Sequence, residues 1–309
     1  MPYRLEPGEP LRDGLRRCSR EQLDSAIEEL TDGIKADPVK AIHEARKALK
    51  KQRSLLRLAR AAFPPGERRQ EAAGFREAAR KLSESRDADV MISALDDLSE
   101  RFAGTVPKST FAAARERLLA RREEERKRAT RSGSAAAVVV ELRAARRRVD
   151  EWDLRRGGWP VIAGGLERSY RRGRHAFALA GGEPTPEHLH DWRKRVKDLW
   201  YHLRLLRPLS ESTMRGQADE AHRLSELLGD DHDLWVLREA LTGMDDEIPH
   251  DLDPLLGAID HRRGQLQSRA VLLGERVYAE KPKAFLRRIH RYWKAWRAES
   301  RGAAVGTSS

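Results

Sequence analysis

The sequence predicts an all-α fold, and three observations lead to this prediction. Hydrophobic residues make up 39% of the 309 residues, which is enough to form a substantial core. Apolar side chains recur at helical spacing in almost every segment. The one β-like stretch, Val138 to Val140, is too short to indicate a sheet. We therefore expect a globular protein built from long amphipathic helices.

Capping residues and prolines give the expected order of these helices. The first follows a capping box formed by Ser19 and Gln22, and the second begins near Pro38 and ends before Pro64. A break and a weaker element follow residue 131. The other predicted helices cover about 67–101, 108–131, 160–182, 184–207, 212–241 (with a break near Gly229), 252–279 and 282–299. We expect residues 301–309 to form a disordered tail.

Composition restricts the classes of function. The formal charge is +12, from 61 Lys and Arg against 49 Asp and Glu, and this favours a polyanionic partner such as nucleic acid, an anionic membrane surface or a phosphate polymer. Cys18 is the only cysteine, which excludes an internal disulfide or a cysteine metal cluster and indicates a reducing cytoplasm. We expect neither a membrane-spanning helix nor a signal peptide, and we expect no membrane insertion.

An internal repeat predicts the domain organisation. The segment "IHEARKALKKQRSLLRL" from Ile42 aligns without a gap with "LHDWRKRVKDLWYHLRL" from Leu189, and "KLSESRDADVM" resembles "RLSELLGDDHDLW" with a gap of two residues. Repeats of this size usually bury a shared interface. We therefore expect one domain over residues 10–300, with related helical halves at about 10–160 and 161–300.

The repeat carries a basic stripe in each copy. On a helical wheel the stripe residues share one face, next to a separate apolar face, and the acids Glu44, Asp191 and Asp198 fall off the stripe. An ordinary solvated face mixes signs, because Glu–Lys pairs one turn apart stabilise a helix. An acid-free stripe that occurs twice, each about 21 Å long, predicts contact with several successive phosphates. The first stripe is His43, Arg46, Lys47, Lys50 and Arg57, and the second is His190, Arg193, Lys194, Lys197 and Arg204.

These residues resemble a known family. The motif His43-x-x-Arg46-Lys47-x-x-Lys50 and its second copy resemble the CHAD domain, the conserved histidine α-helical domain, and three further segments are similar to it: "GLRRCSREQLDSAIEEL", "SRDADVM" and "GLERSYRRGRHAFALA". The resemblance implies two pseudo-symmetric four-helix-bundle-like halves with a central basic groove or pore. It also implies non-enzymatic binding of inorganic polyphosphate, with association to polyphosphate granules in several members.

The resemblance also implies which residues bind. These are the two stripes, with Arg168, Arg172, Arg287 and Arg288 as further candidates. Lys51 and Arg53 of the first copy become Asp198 and Trp200 in the second, so we expect unequal contributions from the halves. Lys51 itself is interpreted as surface charge. No ExExK motif of the companion CYTH domain occurs, which indicates a stand-alone module.

Other readings stay open at this stage. A nucleic-acid-binding helical protein is the main alternative, although Tyr201 is the only aromatic residue on a stripe. A phosphohistidine carrier at His43 is another. A metal site at His188 and His190, or at the "GDDHD" segment, is disfavoured, and that segment is interpreted as a turn or helix N-terminus. Since GxxxxGK[ST], GxSxG and HExxH are all absent, we expect no enzyme activity, no cofactor and no metal.

Overall fold

A computed structural model describes residues 3–64, 66–82, 87–129, 134–154, 157–244, 248 and 251–306. The all-α prediction is confirmed, and the described residues contain no strand beyond an isolated bridge between Ala103 and Val106. The helices are α1 Leu11–Glu28, α2 Pro38–Leu58, α3 Glu67–Lys81, α4 Asp87–Arg101, α5 Lys108–Ala129, α6 Ser134–Glu151, α7 Trp159–Gly182, α8 Pro186–Leu205, α9 Glu211–Thr242, α10 Asp253–Val277 and α11 Pro282–Gly306.

The two stripe helices, α2 and α8, begin in the same way. The Asp37 side chain accepts a hydrogen bond from the Lys40 backbone N–H at 3.0 Å, and Thr185 accepts one from the His188 N–H at 3.2 Å. A proline, with no N–H to satisfy, follows each cap. These caps fix where each stripe starts.

Three expected boundaries are wrong. Helix α1 starts at Leu11, so Ser19 lies inside it and no capping box forms; its buried hydroxyl instead donates to Gln52 at 3.0 Å. Helix α9 runs without a break through Gly229. Helix α11 continues to Gly306, past the expected end near Glu299, so residues 301–306 are helical, while 307–309 lie outside the described residues.

One other expectation needs adjustment. The single helix expected over 67–101 corresponds to α3 and α4, and residues 83–86 between them lie outside the described part of the chain. The β-like triplet from Val138 to Val140 lies within α6, where Val138 and Val139 are buried and Val140 is exposed. Packing of a helical face has overridden the local β preference.

The apolar core consists of two clusters, and each draws on both halves of the sequence. The larger contains residues of α1, α2, α3, α6, α7, α8, α11, the first part of α9 and the last part of α10. The smaller packs Met91 and Phe111 of α4 and α5 against Leu237 and Ile259 of α9 and α10. Leu227 on α9 contacts both clusters. The long helix α9 therefore joins the clusters, while the proposed pseudo-symmetry of the halves stays a prediction.

One close helix crossing positions α7 beside the end of α2. A Cβ on Gly165 would lie 2.0 Å from the Leu58 carbonyl oxygen and 2.7 Å from that of Arg57. Only glycine permits this approach of two backbones. The crossing brings the cations of α7 next to Arg57. Separately, none of the described helices is long and apolar enough to cross a membrane.

Candidate anion-binding site

The fold brings both basic stripes to one cavity, which we call the main pocket. It has a volume of about 450 Å³ and lies between α2, α4, α8 and α9. Seven of the ten predicted stripe residues line it: Arg46, Lys50, Arg57, His190, Arg193, Lys194 and Lys197. Residues far apart in sequence therefore converge on one space.

Sequence reasoning missed several other residues that line this pocket. Arg53 and Arg195 add two cations, and His232 and Asp233 come from α9. Val90 of α4 and Asp233 of α9 belong to the second repeated segment, "SRDADV" and "GDDHDLW". That weaker repeat was the signal that could have placed both segments at the site.

The "GDDHD" segment corrects the sequence interpretation. It lies in the middle of α9, not in a turn or at a helix N-terminus. Asp231 is buried and accepts hydrogen bonds from Arg263 at 3.1 Å and Gln267 at 2.8 Å, which ties α9 to α10. In the part of the chain that the structure describes, no group of three or more His, Cys, Asp or Glu side chains is arranged to hold a metal ion.

The remaining predicted stripe residues do not line the main pocket. Lys47 donates to Glu44 at 2.7 Å, and the His43 ring lies 4.0 Å from the same carboxylate. Arg204 lies over the Trp200 ring, 5.3 Å from its centroid. On α11, Arg287 is exposed, whereas Arg288 pairs with Glu280 and lies over two aromatic rings.

A polar link, largely buried, joins the C-terminal end of α2 to the C-terminal half of α8. Arg57 donates to the Asp198 carboxylate at 2.8 Å, and the Ser54 hydroxyl donates to the Asp198 main-chain carbonyl at 3.4 Å. The His202 ring N–H donates to the Ser54 carbonyl at 3.0 Å. Ser54, Asp198 and His202 are all buried. Asp198, expected off the stripe, therefore lies in the pocket wall and holds α2 against α8.

Two imidazoles lie side by side in the main pocket. The rings of His190 and His232 are 4.6 Å apart between centroids. The pKa of His232 is lowered to about 4, first by burial and then by Arg193, His190, Lys197 and Lys194. Burial also lowers the pKa of His190, again with help from Lys194 and Arg193. Both rings are therefore neutral at pH 7, surrounded by cations.

Residues 17–242 match the sequence pattern of the CHAD domain. The chain belongs to the CHAD domain family. Two solved structures have a similar fold. PptA from Streptomyces chartreusis has a TM-score of 0.56 and 13% identity, over 88% of this chain and 100% of that one. The CHAD domain from the plant Ricinus communis has a TM-score of 0.54 and 18% identity, over 94% of this chain and 96% of that one. A comparison with curated proteins finds no match.

Lys51 of this CHAD domain is not the ordinary surface charge that the sequence suggested. Burial lowers the pKa of Lys51 to about 8, and the nearby cations Arg204 and Lys47 contribute. Its ammonium group lies 5.8 Å from the centre of the Tyr3 ring. Lys51 is therefore a further cation that lies close to other cations, beside the first stripe.

A second cavity of the CHAD domain, which we call the arginine pocket, adjoins the first. Its volume is about 280 Å³, and it contains Arg168 and Arg172 of α7, two of the further predicted candidates. Arg57, Arg195 and Asp198 line both cavities. The other charged residues of the arginine pocket are Arg60, Arg68 and Arg69. The structure thus brings Arg168 and Arg172 close to the stripes, and leaves Arg287 and Arg288 elsewhere.

Proposed function

We propose that the main pocket binds inorganic polyphosphate without chemical turnover. The observation that supports this most strongly is the convergence of two distant basic stripes on one cavity. Among its described lining residues, eight are cations and two, Asp198 and Asp233, are carboxylates; the cations are Arg46, Lys50, Arg53, Arg57, Arg193, Lys194, Arg195 and Lys197. Membership of the CHAD family supports the same ligand.

The electrostatics favour an anion in this cavity. Like charges at close range repel, and burial removes the water that would screen them. His190, His232 and Arg53 all have lowered pKa values. Burial is the largest cause at each group, and neighbouring cations lower the pKa further, which reflects that repulsion. A bound polyanion would relieve it. Arg supplies a planar fork for phosphate oxygens and Lys a compact charge, so the mixture suits successive phosphate groups.

The first test replaces Arg46, Lys50, Arg193 and Lys194 together by Ala. We expect affinity for long-chain polyphosphate to fall roughly a hundredfold or more, because four charge-assisted contacts are lost. Isothermal titration calorimetry measures the affinity, and circular dichroism checks that helicity is kept. The matched control replaces four exposed arginines away from both pockets by Ala: Arg171, Arg215, Arg269 and Arg276. An equal loss in both variants would show only a dependence on net charge.

Competition distinguishes this ligand from nucleic acid. We expect polyphosphate affinity to fall as salt rises, as in other contacts made by phosphate charges. The cavity admits a narrow, flexible chain, whereas a duplex carries its phosphates on the outside of a rigid rod. Duplex DNA or RNA at equal phosphate concentration should therefore displace little polyphosphate. Displacement at similar concentrations would favour the nucleic-acid reading.

The proposal also has a catalytic and a cellular part. Incubation with polyphosphate or ATP and a divalent metal should release no phosphate above the rate without protein, and robust turnover would contradict the non-enzymatic role.

In a cell that stores polyphosphate, a fluorescent fusion should follow the granules, and the four-residue main-pocket variant should not.

A further inference from the structure

We propose that the arginine pocket is a second phosphate subsite, which the same polyphosphate chain occupies after it passes Asp198. This inference rests on the proposed function of the main pocket. It assigns to the ligand three arginines that belong to neither stripe and do not line the main pocket: Arg60, Arg68 and Arg69.

The arginine pocket combines residues from four parts of the chain. Arg57 and Arg60 come from the end of α2 and the turn after it, Arg68 and Arg69 from the first turn of α3, Arg168 and Arg172 from α7, and Arg195 from α8. The described lining of this cavity of about 280 Å³ has seven guanidinium groups and one carboxylate, Asp198. Such a composition is specific for an anion, because guanidinium offers only donors.

Among the residues that the structure describes, acids pair with only two of these seven arginines. Arg57 pairs with Asp198, and Arg195 pairs with Asp191 at 2.6 Å. The other five arginines of the pocket form no salt bridge with any residue that the structure describes. Glu67, in the same first turn as Arg68 and Arg69, does not line the cavity.

Crowding among these arginines disfavours their charged forms. Burial lowers the pKa of Arg68, and Arg60, Arg69, Arg57 and Arg168 lower it further. Burial likewise lowers the pKa of Arg172, followed by the effects of Arg195 and Arg168. A phosphate chain would reverse this repulsion. Each guanidinium can also bind two phosphate oxygens at once, so the cluster is suited to a phosphate ligand.

Asp198 divides the basic surface into two subsites. Its carboxylate lines both pockets, is buried, and is held by Arg57 at 2.8 Å. A carboxylate at this position repels a phosphate chain that runs from one pocket to the other. A short phosphate chain can avoid it by occupying either pocket alone, whereas a long chain has to pass it.

Stoichiometry with tripolyphosphate tests the second subsite. Calorimetry of the full chain should give two bound molecules, and replacing Arg60, Arg68 and Arg69 together by Ala should leave one. The variant with Ala at Arg46, Lys50, Arg193 and Lys194 should lose the other one. Replacing Arg171, Arg215 and Arg276 by Ala serves as the control and should keep both.

The outcomes separate this inference from the proposed function. A single tripolyphosphate that is lost in the main-pocket variant and kept in the arginine-pocket variant overturns the second subsite and leaves the proposed function intact. No binding to any variant or to the natural chain overturns both.

A second measurement tests the divider. Asp198→Asn removes the charge and keeps the Ser54 link, because that hydrogen bond reaches the main-chain carbonyl. We expect long-chain polyphosphate to bind about three- to tenfold more tightly, because a repulsive charge is removed from its path. Asp219→Asn, an exposed acid of α9 outside both pockets, is the matched control and should leave affinity unchanged. Equal or weaker binding by Asp198→Asn would overturn the divider role.

Discussion

At the scale of single residues, burial strongly lowers the pKa of two histidines of this CHAD domain. His202 is completely buried, and burial lowers its pKa to about 4, with Asp198 and the Ser54 carbonyl opposing the shift. His232 has the same depressed value for the reasons given above. In the unfolded chain both rings have a pKa of about 6.5. The unfolded state therefore binds protons at a higher pH than the folded state does.

This difference predicts a loss of stability in mild acid. The folded state has its full advantage above about pH 6.5, and the free energy of unfolding falls as the pH drops from there towards about 4, where the folded-state rings titrate. Denaturant unfolding at a series of pH values measures the slope. His232→Gln should make the slope shallower because one of the two rings is removed, whereas His175→Gln, at an exposed position of α7, should not. Equal slopes for the natural chain and His232→Gln would contradict the assignment.

At the scale of elements, local signals predicted the helices better than their junctions. Prolines correctly marked the starts of α2 and α8, where the structure adds the caps Asp37 and Thr185, because helix starts depend on neighbouring residues alone. Ser19-x-x-Gln22 matched a capping pattern but lies mid-helix, where Ser19 bonds Gln52 across 33 positions. Gly229, taken as a break, lies inside α9, and a Cβ added there would lie 3.6 Å from the Arg193 guanidinium. A small residue there leaves room for a pocket side chain, which no local pattern reveals.

The crossing of α7 and α2 gives a prediction with an internal control. Gly165→Ala would place a methyl group 2.0 Å from a backbone oxygen that cannot rotate away, so the helices must separate. We expect a destabilisation of about 3 kcal/mol and weaker binding in the arginine pocket. Gly164→Ala, at the adjacent exposed position with no atom within 4 Å of the added Cβ, should instead stabilise by about 0.5–1 kcal/mol. Thermal or denaturant unfolding compares the two. Similar effects from both substitutions would show that the crossing tolerates a larger side chain.

At the scale of the whole molecule, the repeat does not divide the protein into independent units. Leu95, Leu98 and Phe111 of the first half are buried against a cluster that includes Leu241 and Ile259 of the second. The main pocket also draws on both halves, since α2 and α8 each supply one stripe and the Arg57–Asp198 pair joins the two helices.

A fragment of residues 1–160 should therefore fail to fold cooperatively. It would expose the apolar faces of α2, α4 and α5 that the second half covers. We expect low, broad thermal transitions by circular dichroism and strong binding of a hydrophobic dye, compared with the full chain. A sharp, reversible transition in the fragment would show that the halves are separate folding units.

The sequence by itself determined the helical class, the family and the side of α2 and α8 that carries the cations. Helical periodicity and capping are local, and the repeat showed that one pattern occurs twice. Only the tertiary structure decided which side chains share a cavity. It added Arg53, Arg195, His232 and Asp233, left His43 and Lys47 outside the lining, and placed Asp198 between two pockets. The physical reason is that a helical wheel gives the direction of each side chain on its own helix. Which helices meet, and at what distance, depends on the packing of apolar faces and of glycines such as Gly165.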